Sequence, residues 1–323
     1  MNILIPGGAS YIGAWLVPQL LADGHKITVF DRLYFGDGFL PKDNENLKIV
    51  KGDIRDLETW KGLCVSQDVV IYLASISREL LCEKNRATAN AINVVAFQPA
   101  VQAAKDAGVK RFIYASSVAV YGTADHDLTE DEILAPTTIY GRGKMACERI
   151  LKTYADREFV CVATRSASVC GYSPRMRLDL TVNRMVHDAM RKGIVTVEGG
   201  SQIRSHVHIK DICDFYKLLL TAPADKVNGQ AFNVVAENHT VADSARLVAD
   251  ICEAQLEVRA RVDDRSYSID GEKVRHVLNW SPQHKVKDAV LELKAHLEAG
   301  YWKDSLTNPM YQNMSQEVID ERA

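Results

Sequence analysis

The chain has 323 residues, 47% of them hydrophobic and 25% charged, with a net charge of −3 and a pI near 6.3. Such a composition fits a soluble globular protein and supplies no basic surface for nucleic acid or a membrane. No apolar run reaches the roughly eighteen residues that cross a bilayer, and the opening MNILIPGG lacks the basic region and long apolar stretch of a signal peptide.

The first element is the strand-like run Ile3-Leu4-Ile5. A helix follows over 11–23, with Ile12, Leu16, Leu20 and Leu21 at helical spacing. Lys26–Phe30 and Leu47–Val50 read as further strands, with a short helix at 56–62. Asp68–Leu73 is a fourth strand, and a continuous helix is expected from about 85 to 107, stopped by Gly108. Arg111–Ala115 is a fifth strand, 139–157 a helix and Phe159–Thr164 a sixth strand. Near-continuous apolar strands alternating with helices predict an α/β fold with a doubly wound parallel sheet covered on both faces.

After residue 165 the pattern loosens, with Pro174, Gly193, Gly199, Gly200 and Pro223 as punctuation. Helices are expected near 178–192, 211–222, 240–254 and 286–302. The division is therefore a Rossmann domain over 1–165, a smaller α/β lobe over 166–305 that completes a cleft above it, and a tail over 306–323. Some crossing of the chain between the two lobes is expected.

The seven cysteines are scattered and show no C-x-x-C spacing, which argues for a reducing, cytoplasmic setting rather than a disulfide framework. His206 and His208 share a strand face with no third ligand nearby, so a packed strand is expected and no metal.

Gly7-Gly8-Ala9-Ser10-Tyr11-Ile12-Gly13 joins the first strand to a helix. Glycines in that place allow a tight turn and close approach of a pyrophosphate to a helix N-terminus. Asp31 closes the second strand and can accept hydrogen bonds from ribose hydroxyls, which favours NAD over NADP. Arg32, the next residue, could instead meet a 2′-phosphate. Asp53 follows the third strand, where it could receive the adenine amino group or cap the next helix.

Tyr140 and Lys144 stand four residues apart, one helical turn, so both can face one cleft. A phenol with a reference pKa of about 10 is a poor base at neutral pH. An ammonium one turn away favours the phenolate and moves it toward a working range. A tyrosine base beside a hydride acceptor can oxidise a secondary alcohol.

The whole pattern resembles the extended short-chain dehydrogenase/reductase family, in its NAD-dependent nucleotide-sugar epimerase/dehydratase branch. The glycine loop resembles G-x-x-G-x-x-G, with Gly7 and Gly13 in place and Ser10 where the middle glycine usually sits. Ser116-Ser117-Val118-Ala119-Val120-Tyr121-Gly122 resembles S-S-x-x-V-Y-G, and Tyr140-Gly141-Arg142-Gly143-Lys144 resembles Y-x-x-x-K. The resemblance implies Ser117, Tyr140 and Lys144 as the catalytic set. It implies a cofactor site made by Gly7, Ser10, Tyr11, Ile12, Gly13, Asp31, Arg32, Asp53 and Ile54, together with Leu73, Ala74, Ser75, Asn93, Tyr140 and Lys144. Tyr72 stands where that branch has a histidine.

Arg165 to Gly171 resembles R-x-x-N-x-x-G with Ser168 in place of the asparagine, and Arg204 to Asp211 resembles R-x-F-V-H-V-x-D. Ser77, Ser117, Asn183, Arg204 and Arg265 are then implied to bind substrate, with Arg204 and Arg265 as two guanidinium forks for two phosphates. Dehydratases of the branch carry Asp-Glu directly after the serine or threonine; here Val118 and Ala119 stand there and cannot move protons.

The expected function is epimerisation of a nucleotide-diphosphate sugar through C4 oxidation, with NAD as cofactor and a homodimer built on the helices at 85–107 and 139–157. A 4-keto-sugar reductase or dehydrogenase that consumes cofactor uses the same triad. A non-catalytic nucleotide-binding scaffold is a further reading, disfavoured by the intact Tyr and Lys. Cys170 with His187 reads as packing, and Arg175-Met176-Arg177 reads either as a phosphate contact or as a solvated loop.

Overall fold

The computed structural model describes residues 1–260 and 266–313. Its main sheet has seven strands: β1 (Asn2–Pro6), β2 (Lys26–Asp31), β3 (Leu47–Lys51), β4 (Val69–Tyr72), β5 (Arg111–Ser117), β6 (Val160–Ser166) and β7 (Gln230–Val234). Their order is β7-β6-β5-β4-β1-β2-β3, and every pair is parallel.

Successive side chains of each strand enter opposite layers. Ile3, Ile5, Val29, Ile71, Ile113 and Val162 pack on one face, against the helices Gly13–Ala22 and Ile209–Thr221. Leu4, Phe30, Val70, Tyr72, Phe112 and Ala163 pack on the other, against Trp60, Phe97, Ala104 and Leu151. Two buried faces explain why these strands read as unbroken apolar runs.

The chain winds outward from β1 through β2 to β3 and then returns to β4 on the other side of β1. Strand order therefore reverses between β1 and β4, and the loops after their C-terminal ends diverge to leave a crevice.

The stretch expected as one helix over 85–107 is broken. Helical turns at Glu79–Lys84 and Arg86–Asn90 lead into a π-helical turn at Ala91–Val95, then a helix at Phe97–Asp106. Pro99 accounts for the widening: it has no N–H to give the Val95 carbonyl, and its ring crowds that group.

The second lobe is built on a three-stranded sheet, with Ile203–His208 between Ser168–Cys170 and Glu237–Thr240. Helices Thr181–Lys192, Val241–Cys252 and Val286–Glu298 pack against it and one another. β7 comes from within this half of the sequence, so the chain returns to the main sheet after residue 166. No helix among the described residues is long and apolar enough to cross a membrane.

Candidate functional site

A cleft of about 870 Å³ opens at the β1–β4 crevice and continues between the main sheet and the second lobe. That is room for a dinucleotide and part of a second ligand. Its floor is the glycine loop. Gly7 has φ +79°, and a Cβ there would lie 2.6 Å from the Ala74 amide nitrogen, so only glycine lets the loop pass β4 this closely. Gly13 faces inward: a Cβ would meet the Gly8 carbonyl oxygen at 2.2 Å. The helix that starts at Gly13 has no side-chain cap and no acidic residue in its first turn, which leaves its positive end open to an anion.

Asp31 lies on the cleft wall at the end of β2. Its carboxylate accepts from the Ala9 N–H at 3.1 Å and the Leu33 N–H at 2.9 Å, and burial raises its pKa against those bonds. Arg32 is held by Asp53 and lies over the Tyr34 ring at 4.9 Å. Asp53 also takes the Arg55 side chain at 2.8 and 3.0 Å. The carboxylate that caps the helix Leu57–Cys64 is Asp56, not Asp53.

Tyr140 and Lys144 occupy the first two turns of the helix Ile139–Tyr154, which Thr138 caps by accepting from the Gly141 N–H at 3.0 Å. Both line the cleft, as does Ser117 at the end of β5. The Lys144 ammonium is 5.5 Å from the Tyr140 ring centre and donates to the Ala115 carbonyl at 2.6 Å. Burial brings the Lys144 pKa down to about 8. Burial also pushes the Tyr140 phenol above its ordinary value, and a hydrogen bond with Ser117 draws it back only in part. The spacing argument expected the lysine to lower the phenol. In the protein alone, desolvation of the phenolate outweighs it.

Ile12, Ser10, Tyr11, Ile54, Leu73, Ala74, Ser75, Ser77 and Arg204 also border the cleft. Two expected binding residues stand behind its wall. Asn183 is fully buried; its amide accepts from the Gly171 N–H at 3.0 Å and donates to the Tyr11 hydroxyl and the Arg177 carbonyl. Those bonds join the glycine loop to the second lobe. Asn93, inside the π-helical turn, grips both backbone groups of Ile76 at 2.8 and 3.0 Å and so fixes the loop after β4. Arg265 falls outside the described residues. Tyr72 is 2% exposed and belongs to an aromatic cluster with Trp60, Phe97 and Phe112.

Arg165 is likewise structural: it is buried and clasps Glu148 with contacts of 2.8 to 3.1 Å. Cys170 and His187 are both buried in packing, with the His187 Nε2 2.8 Å from the Ser305 hydroxyl. Arg175 and Arg177 do not form a solvated loop. Arg177 faces the cleft, paired with Asp179 at 2.6 Å and bonded to Ser77 at 3.2 Å, and Arg175 is buried beneath Phe35. Sequence reasoning passed over Tyr34, Phe35, Asp179 and Asn313, all of which border the cleft. The one local signal was a pair of aromatics just past Asp31 at the strand's end.

A sequence model described as the NAD dependent epimerase/dehydratase family matches residues 3–235. The chain belongs to that family. It is 28% identical over 315 residues to a UDP-glucose 4-epimerase of Lactobacillus helveticus, spanning 90% of this chain and 95% of the relative. It is 27% identical over 305 residues to the dTDP-D-glucose 4,6-dehydratase of Mus musculus, spanning 87% and 84%. The fold superposes on a UDP-glucuronic acid 4-epimerase from Bacillus cereus, solved with UDP-glucuronic acid and NAD, with a TM-score of 0.84 over 93% of this chain and 100% of that one at 22% identity.

The family is NAD-dependent, and the residues here fit that group. The Gly7 cradle would be filled by any side chain. The two Asp31 oxygens each keep a lone pair for a ribose hydroxyl. Arg32, tied to Asp53 and Tyr34, is turned to other partners than a 2′-phosphate.

Proposed function

We propose that this enzyme epimerises a nucleotide-diphosphate sugar through a transient keto-sugar, with Tyr140 as the base at the C4 hydroxyl. The observation that carries the reading is the meeting of Tyr140, Ser117 and Lys144 on one wall of a cleft whose floor is the glycine loop. Bound NAD supplies the hydride acceptor and donor, and its cationic ring favours the phenolate that burial disfavours.

Tyr140 takes the hydroxyl proton and gives it back. Ser117, which borders the cleft beside that phenol, donates to or accepts from the same sugar oxygen. Lys144 would hold the cofactor ribose, and it keeps positive charge beside the phenol. Arg204, on the second-lobe side of the cleft, pairs with the diphosphate. Val118 and Ala119 follow Ser117 at the start of a short 3-10 turn and offer no acid or base, which disfavours loss of water. A keto-sugar that turned in the cleft would take the hydride back on its opposite face, and no cofactor would be consumed. A homodimer fits the exposed Leu80 and Val95 on the helical stretch after β4.

The test is incubation with UDP-, GDP-, CDP- and dTDP-sugars, followed by proton NMR and absorbance at 340 nm. A new stereoisomer without net NADH supports the epimerase. Stoichiometric NADH consumption or formation would assign a reductase or dehydrogenase instead.

A further inference from the structure

Arg175 is the least satisfied charge among the described residues. It is 1% exposed, yet its Nε and Nη1 groups have no hydrogen-bond partner. Its one bond runs from Nη2 to the Asn313 side-chain oxygen at 3.1 Å. Its guanidinium lies 3.6 Å from the centre of the Phe35 ring. Burial, with Arg177 adding to it, draws its pKa down to about 9, while Asp179 and Asp31 hold its charge in place. A cation this deep with two spare donors needs a reason to stay.

Its neighbours supply one. Phe35 and Asn313 both border the cleft, and Asn313 reaches across to the Ser77 hydroxyl at 2.9 Å. Arg177 bonds the same hydroxyl at 3.2 Å. The Leu178 N–H donates to the Tyr311 carbonyl at 2.8 Å, which fastens the C-terminal segment beside this point. Four distant stretches therefore meet over the cofactor end of the cleft: the loop after β2, the loop after β4, residues 175–178 and residues 311–313. Arg175 touches two of them directly.

We propose that Arg175 is a positioning residue that latches the cleft shut over the dinucleotide, with Phe35 and Asn313 as the two halves it joins. The inference rests on the reading that this cleft holds NAD. With an anionic dinucleotide beneath, the buried cation gains negative charge beyond that of Asp31 and Asp179. Closure and cofactor binding then reinforce one another, and the dinucleotide stays through turnover. An epimerase, which must return hydride to the same sugar, needs such retention.

The experiment is stopped-flow release of NADH from the full-length protein, chased with excess NAD and read by NADH fluorescence. Arg175→Ala is expected to raise the release rate tenfold or more, with association changed far less. Arg175→Lys keeps a donor for Asn313 but loses the flat stacking on Phe35, and is expected to fall between. Phe35→Ala and Asn313→Ala open the same latch from residues nearer the surface, so they decide the matter if Arg175→Ala does not fold. Release within twofold of wild type in folded Phe35→Ala and Asn313→Ala would overturn the latch while leaving the cofactor reading intact. Wild-type protein that binds no NADH at all would overturn both.

Discussion

The Tyr11 hydroxyl donates to the Gly171 carbonyl at 2.7 Å and receives the Asn183 amide at 3.3 Å. The glycine loop is thus bolted to the second lobe through a residue that borders the cleft and is 4% exposed. Ser173 adds a second bolt by donating to the Tyr11 carbonyl at 2.7 Å. These bonds tie the glycine loop directly to the second lobe.

Tyr11→Phe keeps the ring and removes both hydroxyl bonds, leaving a buried carbonyl and a buried amide N–H short of partners. The expected loss is about 1–3 kcal/mol of unfolding free energy, measured by urea denaturation. A loss under a few tenths would mean the lobes are held together by packing alone.

Lys144 is expected to destabilise the protein that carries no cofactor. Its folded pKa, about 8, lies below the ordinary value near 10.4, so the unfolded chain binds the proton more readily. The cost is full below pH 8 and is relieved as pH rises from 8 toward 10.4. Lys144→Met is expected to raise apo stability by about 1–2 kcal/mol at pH 7, after loss of the bond to Ala115, while weakening NADH binding. Calorimetry at pH 7 and 10 checks both signs.

His206 sets an acid limit. It is 1% exposed, neither ring nitrogen has a partner, and burial beside His239 and Arg204 lowers its pKa to about 3. The unfolded chain protonates near pH 6.5 and the folded one does not, so stability falls with pH between about 6.5 and 3. At pH 5 the contribution is a loss of about 2 kcal/mol relative to pH 7.5. His206→Phe should remove that part of the acid dependence in urea midpoints. An unchanged dependence would place the acid sensitivity elsewhere.

Glu148 and Arg165 form a buried pair that Ser116 and Tyr121 complete, with the Tyr121 hydroxyl donating to Asn233 of β7 at 2.7 Å. Glu148→Ala leaves the guanidinium buried without its anion. The expected cost is about 3–5 kcal/mol, visible as a large drop in thermal midpoint. Such a cost would assign the network to holding β5, β6 and β7 in register.

Five of the six strands legible in the sequence are inner strands buried on both faces, and burial writes itself as apolar runs; β3, the sixth, is a half-exposed edge strand marked by Leu47, Ile49 and Val50. β7, Gln-Ala-Phe-Asn-Val, was not legible, because its apolar run is broken by Asn233, which serves the buried polar network. The π-helical turn escaped a reading based on helical period; Pro99 was its only mark. The cleft residues carried by compact motifs, Gly7 to Gly13, Ser117, Tyr140 and Lys144, were readable for the same reason: one turn or one helix positions them. Phe35, Arg175 and Asn313 were hidden because their contacts join segments more than a hundred residues apart. Asn183 was legible as a residue of interest, but only the fold shows that its amide bonds Tyr11, Gly171 and Arg177.

Tyr140→Phe tests the central claim most directly. The variant is assayed by NMR on whichever nucleotide sugar the wild-type protein converts, alongside NADH binding by fluorescence. Turnover is expected to fall by 10²–10⁴ while NADH affinity stays within a few-fold of wild type. Turnover within tenfold of wild type, with the cofactor still bound, would contradict the account by showing that some other group takes the sugar's proton.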